Sequence, residues 1–330
     1  MAASTSNICS TKFFVAVLLI SAIPIAIIIS LETASLSTHA YYYNSGGWMR
    51  ECAKWDEVNR RFIVSFFDGG IGEIRVDDDG KEGALEEVTV VKEADLAGNS
   101  SLGMVIDRPR NRLLVAIADV FGNKYSAIAA YDLTSWNRLF LTHLTGEKTF
   151  ADDVAVDHEG YAYVTDTKGS KIWKVAPDGK FLHLIESPLF KPKEWYKNLV
   201  GLNGIVYHPD GYLIVIHTFS GKLFKIETGN NKDGGEEVKP IDIIKGSLLL
   251  GDGLELLSPT KLVVAGSKTS LLVESSDGWE TAQVVGKFKG PIHRLMTAAT
   301  VKDDKVYVNH MIGMGYPKRK HAIVEAVFES

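Results

Sequence analysis

Apolar and polar positions alternate over short distances along most of this chain. After the N-terminal segment, short runs of valine, isoleucine, leucine and aromatic residues are separated by turns rich in glycine, aspartate and proline. Between Val154 and Ile185, for example, four such runs are separated by the turns DHEG, KGS and PDG. Such runs are typical of strands, and we find no apolar spacing of three and four residues, which helices would require. The pattern therefore predicts an all-β body.

The strand pattern occurs six times. The repeated phrases are ECAKWDEVNRRFIV, LGMVIDRPRNRLLV, DDVAVDHEGYAYV, NGIVYHPDGYLIV, DGLELLSPTKLVV and TAATVKDDKVYV, which begin at Glu51, Leu102, Asp152, Asn203, Asp252 and Thr297. Successive phrases start 51, 50, 51, 49 and 45 residues apart. A period of this size is typical of propellers, arrays and solenoids, and four strands per repeat correspond to one propeller blade. We number the repeats 1 to 6 and predict a six-bladed β-propeller over residues 41–330.

The last repeat shows only three evident strands, which end in the segment His321–Phe328. An incomplete blade would leave an open sheet edge, and proteins avoid such edges. We therefore expect the segment STHAYYY, which ends at Tyr43, to supply the fourth strand and close the ring.

Residues 1–40 are interpreted as a targeting segment. The stretch Phe13–Ile29 is uncharged and follows Lys12. Its length lies between a signal-peptide core and a membrane-spanning helix, so a signal peptide cleaved after Ala40 and an uncleaved signal anchor both remain open. Either would direct the body into the secretory pathway as a secreted, vacuolar or endomembrane protein. Asn99, in Asn-Ser-Ser, would be a glycosylation acceptor on that route.

Composition narrows the possible partners. The 330 residues carry a formal charge of −5 and no basic stripe, which argues against nucleic acid as a partner.

If the N-terminus is removed, Cys52 is the only cysteine left and no internal disulfide can form. The segment Asp77–Gly80 (DDDG) lacks the ligand pattern of a calcium loop and is interpreted as a solvated turn. We expect a monomer that acts on a small molecule.

The first residue of each phrase is a candidate for metal binding. In a propeller the first strand of every blade lines the central channel, so these residues converge although they are far apart in sequence. Glu51, Asp152, Asn203 and Asp252 supply carboxylate or amide oxygens, the ligands that Ca²⁺ prefers. The alternative is that Asp-Gly and Asn-Gly merely form turns before a strand. Either Asp152 or Asp153 could face the metal.

These motifs resemble those of the SMP-30/gluconolactonase-like family of calcium-dependent six-bladed propellers, relatives of paraoxonases and strictosidine synthases. The family's metal site uses a Glu in blade one, Asn in blade three, Asn-Gly in blade four and Asp-Gly in blade five. Glu51, Asn203-Gly204 and Asp252-Gly253 match this order. Asp152 stands where the family has Asn, which keeps an oxygen ligand and adds a negative charge. The resemblance covers about Tyr41 to Ser330.

The resemblance implies a hydrolase that acts on a lactone or ester. In the family's lactonases, Ca²⁺ polarises the carbonyl oxygen and the blade-five Asp helps to activate water, so the resemblance assigns this second role to Asp252. Another divalent cation, such as Zn²⁺ or Mn²⁺, could occupy an oxygen site.

A second set of polar residues lies two positions after the aligned valine of each phrase. Asp166, His217 and His310 occupy this position in repeats 3, 4 and 6. We predict that they contact the substrate or move protons at the same end of the channel. The alternative is that they are polar residues that simply end strands.

Two other functions are weighed against hydrolysis. A strictosidine-synthase-like reaction relies on a Glu at the start of blade six, and this chain has no Glu between Gly290 and Val324. A non-catalytic, secreted or membrane-tethered binding propeller is the second alternative, because a fold alone does not imply catalysis.

Overall fold

The computed structural model describes residues 11–34, 37–76, 84–228 and 236–330. The chain forms two compact parts whose boundary lies between Ser37 and Thr38. The predicted turn Asp77–Gly80 lies outside the described residues.

The N-terminal part contains one helix, α1 (Thr11–Thr33). Its segment Phe13–Thr33 has a mean hydropathy of 2.9 and is long and apolar enough to cross a membrane, a property that signal sequences share. Pro24 lies inside the helix. The segment is compatible with both a signal sequence and a membrane anchor.

The second part is built of strands, which confirms the all-β prediction. It begins with β1 (Ala40–Ser45). Repeat 1 contains β2 (Arg50–Asp56), β3 (Arg61–Phe66), β4 (Ile71–Arg75) and β6 (Val88–Val91), with the short β5 (Leu85–Glu86) between the last two. Repeat 2 contains β7 (Ser100–Asp107), β8 (Arg112–Ala118), β9 (Ser126–Asp132) and β10 (Arg138–His143). Repeat 3 contains β11 (Ala151–Val156), β12 (Ala162–Asp166), β13 (Lys171–Val175) and β14 (Phe181–Glu186).

The later repeats follow the same plan. Repeat 4 contains β15 (Leu202–His208), β16 (Tyr212–His217), β17 (Lys222–Glu227) and β18 (Val238–Lys245). Repeat 5 contains β19 (Gly251–Ser258), β20 (Lys261–Gly266), β21 (Ser270–Glu274) and β22 (Thr281–Phe288). Repeat 6 contains β23 (Met296–Lys302), β24 (Lys305–Met314) and β25 (Arg319–Glu325). Short 3₁₀ segments connect some strands, at Ala94–Leu96, Arg108–Arg110, Pro188–Phe190, Trp195–Leu199 and Ile292–Arg294.

Antiparallel pairing joins the strands within each repeat. Repeats 1, 2 and 3 each form a separate four-stranded sheet. Repeats 4 and 5 together form an eight-stranded sheet, because β18 pairs in parallel with β22. The first strands of the repeats contact one another in a closed cycle, from β2 through β7, β11, β15, β19 and β23 back to β2.

The N-terminal strand completes the sheet of repeat 6. β1 pairs antiparallel with β25, and Tyr43 lies opposite His321 in this pairing. The two rings also stack, with 5.2 Å between their centroids. The sequence-based expectation that this segment supplies a fourth strand is therefore met, and it places both ends of the body in one sheet.

The apolar core lies between neighbouring repeats. On β8, Leu113 packs against residues of repeat 1, including Ile63, whereas the adjacent Leu114 packs against Trp173 of repeat 3. Successive side chains of a strand point to opposite faces, so a strand that is buried on both faces is apolar at consecutive positions. This packing holds the first strands rigidly around the channel.

Candidate functional site at the channel mouth

A β-bulge positions the first residue of every repeat. In all six repeats the pairing between the first and second strands shifts register at this point, for example between Ala151 and Val154 or between Gly251 and Leu254. A bulge locally bends a strand and turns a side chain away from the regular alternation. The candidate ligands Glu51, Asp152 and Asp252 all lie inside such bulges.

In repeats 4 and 5 the residue after the first position must be glycine. A Cβ on Gly204 would lie 2.3 Å from the backbone oxygen of Asp252, and a Cβ on Gly253 would lie 2.6 Å from that of Thr297. The backbone of the next repeat therefore packs directly against these glycines. The Asn-Gly and Asp-Gly pairs are thus explained by close packing of adjacent first strands, which also holds neighbouring candidate ligands together.

The predicted metal ligands line one small cavity. Glu51, Asp152, Asn203 and Asp252 all contribute to its wall, together with Cys52, Lys54, Asp153 and Thr297. The cavity has a volume of about 20 Å³. That volume holds one or two species of the size of water, so an ion fits but a substrate molecule does not.

The carboxyl groups of the cavity repel one another. Burial raises the pKa of Glu51 to about 8, and the charges of Asp152 and Asp153 add to the rise. Burial also raises the pKa of Asp152 to about 7, although a hydrogen bond from Thr167 opposes the rise. The pKa of Asp252 is raised well above its usual value by burial and by Glu51 and Asp152. A cation in this cavity would relieve the repulsion.

Two neutral side chains orient these acids. Thr167 Oγ1 lies 2.7 Å from Asp152 Oδ2 and 2.6 Å from the backbone oxygen of Leu202. The Asn203 side chain forms a hydrogen bond with Asp252, which lowers the pKa of that carboxyl and so offsets part of the rise. Amide and hydroxyl partners of this kind fix the direction of ligand oxygens.

Asp153 differs from Asp152 in how its carboxylate is held. The backbone N–H of Val154 donates to Asp153 Oδ1 at 2.9 Å, and that of Ile205 donates to Oδ2 at 3.3 Å. Burial raises the pKa of Asp153 to about 6, while Lys54 lowers it. Backbone donors thus hold both Asp153 oxygens, whereas Asp152 is held by the Thr167 hydroxyl, and Asp152 as the metal ligand stays a prediction.

The donor set fits a hard divalent cation by its chemistry. Four carboxyl groups, including that of Asp153, and one amide line a cavity in which Lys54 is the basic residue, and Lys54 is already paired with Glu255 at 2.6 Å. Among the described residues, no three His, Cys, Asp or Glu side chains are already arranged as a metal site. Binding by all the predicted ligands would therefore require side-chain rotation toward a common point.

The second predicted set does not line this cavity. Asp166, His217 and His310 are fully buried and pair across the ladder with Ala151, Leu202 and Met296, the residues that precede the first positions. Asp166 Oδ1 accepts hydrogen bonds from the backbone N–H groups of Phe150, Lys168 and Gly169. Substrate contact by these three residues stays a prediction.

Both histidines of this set lie in dehydrated surroundings. Burial lowers the pKa of His217 to about 4 and that of His310 to about 3. Neither ring nitrogen of His217 has a hydrogen-bond partner within the described chain. At neutral pH both rings are therefore uncharged.

Sequence reasoning missed Thr167 and Lys54. Thr167 lies one position beyond Asp166 and reaches Asp152. Lys54 lies three positions after Glu51, and its partner Glu255 lies three positions after Asp252. Opposite charges at the same position of two repeats are the signal that could have revealed the pair.

Asn99 is half-buried, and its side chain donates to the backbone oxygen of Leu96 at 3.4 Å. The third residue of its Asn-Ser-Ser triplet, Ser101, is buried. Glycosylation at Asn99 stays a prediction.

The sequence matches no protein-family model and no curated protein. Solved structures do match. The allergen Mala s 1 of Malassezia sympodialis is 16% identical with a TM-score of 0.69, and the match covers 89% of this chain and 97% of that one. The gluconolactonase XC5397 of Xanthomonas campestris is 14% identical with a TM-score of 0.56, covering 88% of this chain and 90% of that one.

A streptogramin B lyase is 11% identical with a TM-score of 0.53, and the match covers 87% of this chain and 98% of that one. At these identities the likeness concerns the fold alone. The body of this chain is thus a β-propeller whose fold is similar to that of gluconolactonase and Mala s 1 structures.

Proposed function

We propose that the body is a closed six-bladed propeller that hydrolyses a lactone or ester at its channel mouth with the help of a bound divalent cation, Ca²⁺ in the first place. One observation carries the proposal. Oxygen-bearing side chains from four separate repeats, which the sequence alone predicts as ligands, line a single cavity of ionic size.

The blade number rests on the arrangement of the first strands. Six strands contact one another in a closed cycle, and each begins a four-stranded antiparallel arrangement once β1 is counted with repeat 6. The parallel pairing of β18 with β22 joins the outer edges of two such arrangements. We therefore interpret the eight-stranded sheet as two blades in edge contact.

Glu51, Asp152, Asn203 and Asp252 would hold the cation. Oxygen donors and an excess of negative charge favour Ca²⁺ over softer metals. When bound, the ion would supply Lewis-acid polarisation of the substrate carbonyl.

Asp252 is the proposed general base. The resemblance assigns water activation to this residue. In the metal-free protein burial, Glu51 and Asp152 raise its pKa, and a bound cation would oppose that rise. The hydrogen bond from Asn203 fixes its orientation, so one Asp252 oxygen can take a proton from a water molecule that attacks the carbonyl carbon. Glu51 and Asp152 would balance the charge of the cation and hold it in position, and they would not transfer the proton.

The substrate would lie on the solvent side of the small cavity. The 3₁₀ segment Trp195–Leu199 precedes β15, at the end of the strands where the cavity opens. Trp195 is 74% exposed and Tyr196 is 50% exposed. Large exposed aromatic side chains on a loop that leads to the site are suited to contact an organic substrate.

For localisation we propose the secretory pathway, with α1 as a signal peptide or as a membrane tether. The support is its uncharged and mostly apolar sequence from Phe13 to Ile29.

The test combines metal analysis with a screen of lactones and aryl esters. Full-length protein, Asp252→Asn and the exposed control Glu147→Gln are assayed with Ca²⁺ and with chelator. We expect one Ca²⁺ per wild-type chain, activity that chelator removes, and a loss of about 10²-fold or more in Asp252→Asn. Glu147→Gln should behave like the wild type.

Reaction in ¹⁸O-labelled water identifies the chemistry. Hydrolysis places the label in the acid product, whereas an elimination of the lyase type leaves the product unlabelled. If wild type and Asp252→Asn bind no metal and are equally inactive, the hydrolase proposal is wrong and a non-catalytic binding propeller remains.

A further inference from the structure

A second cleft opens beside repeat 5. It has a volume of about 370 Å³, compared with about 20 Å³ for the cavity that the candidate ligands line. Its wall is formed by the loop that precedes β19, the loop between β20 and β21, and the end of β22. The cleft is therefore large enough for a small organic molecule.

The cleft lies at the same end of the strands as the channel mouth. Gly251, which lines the cleft, directly precedes Asp252, which lines the mouth cavity. First and third strands begin at this end of a repeat, and second and fourth strands end there. A molecule in the cleft would thus be a neighbour of the proposed reaction site.

The cleft is basic. Lys268, Lys287 and Lys289 contribute to its wall, and no aspartate or glutamate does. Among the described residues, none of these three lysine side chains forms an ion pair or a hydrogen bond. This contrasts with the mouth, where Lys54 is paired with Glu255 and acidic groups predominate.

The cleft also has an apolar side. Leu249 and Leu250 line it and are 58% and 42% exposed. Leu250 adopts a left-handed backbone conformation with φ of 64°, which is unfavourable for a leucine. Its N–H donates to the backbone oxygen of Thr218 at 3.0 Å, and the N–H of Leu249 donates to Ser247 Oγ at 3.3 Å. The loop therefore holds two leucines in a defined position at the rim.

We infer that this cleft binds an organic anion, a small molecule with a carboxylate or similar group joined to a short aliphatic part. The lysines would attract the anionic group, and Leu249 and Leu250 would cover the hydrocarbon. One consequence of this inference rests on the proposed function. The substrate that is hydrolysed at the channel mouth would itself be an anion, with its charged end in the cleft and its ester or lactone group near Asp252.

Electrostatics explains why the two sites would be separate. An anionic substrate is repelled by Glu51, Asp152 and Asp252 unless a cation neutralises them. The basic cleft beside the mouth would hold the charged end of the substrate away from these acids. Only the neutral carbonyl group of the substrate would then approach them. The arrangement selects substrates by the spacing between charge and carbonyl.

The test measures binding rather than turnover. Hexanoate and hexanamide share the same hydrocarbon and differ in charge, so both are titrated by saturation-transfer NMR into the full-length protein in neutral detergent with chelator. We expect hexanoate to bind at least tenfold more tightly than hexanamide. Butanoate should bind more weakly than hexanoate by about fourfold per methylene removed.

Two triple variants locate the site. K268Q/K287Q/K289Q should reduce hexanoate binding at least tenfold. The control K239Q/K261Q/K305Q removes the same charge from lysines that are paired with glutamates elsewhere on the body, and it should bind hexanoate like the wild type.

Equal binding of hexanoate and hexanamide would overturn the inference, as would an equal loss of hexanoate binding in both triple variants. Since the assay contains chelator and no ester, its result is independent of hydrolysis. If hydrolysis is absent but the cleft binds hexanoate, only the proposed function fails. If hydrolysis occurs and hexanoate does not bind, only this inference fails.

Discussion

Lys54 of repeat 1 and Glu255 of repeat 5 form an ion pair across the channel, with 2.6 Å between Nζ and Oε2. The Lys54 ammonium also donates to the backbone oxygen of Ala299 at 3.1 Å, so repeats 1, 5 and 6 meet at this one group. Burial lowers the pKa of Lys54, but Glu255 and the other nearby acids outweigh this effect and raise it. The lysine is therefore charged and links three repeats.

We expect Lys54→Met to destabilise the fold by about 1–2 kcal/mol, because Glu255 loses its partner in a channel where the two side chains are only 16% and 23% exposed. The free energy of unfolding measures this loss in denaturant titrations. The double variant Lys54→Met/Glu255→Gln should recover part of the stability. A double variant that is less stable than Lys54→Met would contradict this account.

The mouth carboxyls predict an unusual pH dependence for the metal-free protein. The pKa values of Glu51, Asp152 and Asp153 are raised to about 8, 7 and 6. Between about pH 6.5 and 8 these groups hold more protons in the folded protein than in the unfolded chain, so they make stability fall as pH rises. Below that range the buried His217, His310 and His321, whose pKa values are lowered, oppose the effect.

In chelator, the melting temperature should therefore be lower at pH 8 than at pH 6.5, and Ca²⁺ should restore it at pH 8. Glu51→Gln should reduce the slope between pH 6.5 and 8, whereas the exposed Glu147→Gln should not. A metal-free protein that becomes more stable from pH 6.5 to 8 would show that these carboxyls ionise freely.

Gly204 should tolerate no side chain. In Gly204→Ala the new Cβ would lie 2.3 Å from the backbone oxygen of Asp252, so first strands of repeats 4 and 5 must separate. We expect a loss of about 2–3 kcal/mol of unfolding free energy, typical of overpacking. Gly46→Ala is the control, since nothing lies within 4 Å of its Cβ. Equal stability of the two variants would rule out tight packing of the first strands.

Thr167 should affect metal affinity without touching the metal. Thr167→Val removes the hydroxyl beside Asp152, and we expect Ca²⁺ affinity to fall about tenfold in calorimetry. Thr165→Val is the matched control, because the Thr165 hydroxyl contacts only the backbone of Asp153. If both variants lower the affinity equally, the effect comes from the fold and not from Asp152.

The two possible roles of α1, signal peptide and membrane anchor, predict different N-termini for the mature protein. A signal peptide predicts a chain that begins near Tyr41, is found in the soluble fraction and lacks α1. An anchor predicts an intact Phe13–Ile29 segment that resists carbonate extraction from membranes. Mass spectrometry of the natural protein distinguishes them, and the body begins at β1 in either case.

The repeat was predictable because each first strand faces the same channel. Glu51, Asp152, Asn203 and Asp252 occupy equivalent positions, so they could be aligned by sequence and do line one cavity. The choice between Asp152 and Asp153 could not be made in this way. A bulge at that point breaks the alternation of side chains, and only the structure shows which carboxylate the backbone holds.

The second polar set is less well placed by the sequence alone. Asp166 ends β12 and is buried outside the cavity that the candidate ligands line, so its contact with a substrate stays a prediction. Thr167, the next residue, reaches Asp152. Because neighbouring residues of a strand point to opposite faces, a shift of one position decides which side chain meets the mouth cavity.

The pairing of β1 with β25 sets the order of events during synthesis. Tyr43 meets its partner His321 only after nearly the whole body has been made. Until then β1 has only the two-residue β5 to pair with, and both the sheet of repeat 6 and the cycle of first strands are incomplete. Such long-range closure slows folding and exposes intermediates. A chain that enters the secretory route N-terminus first would therefore depend on chaperones there until its last strand emerges.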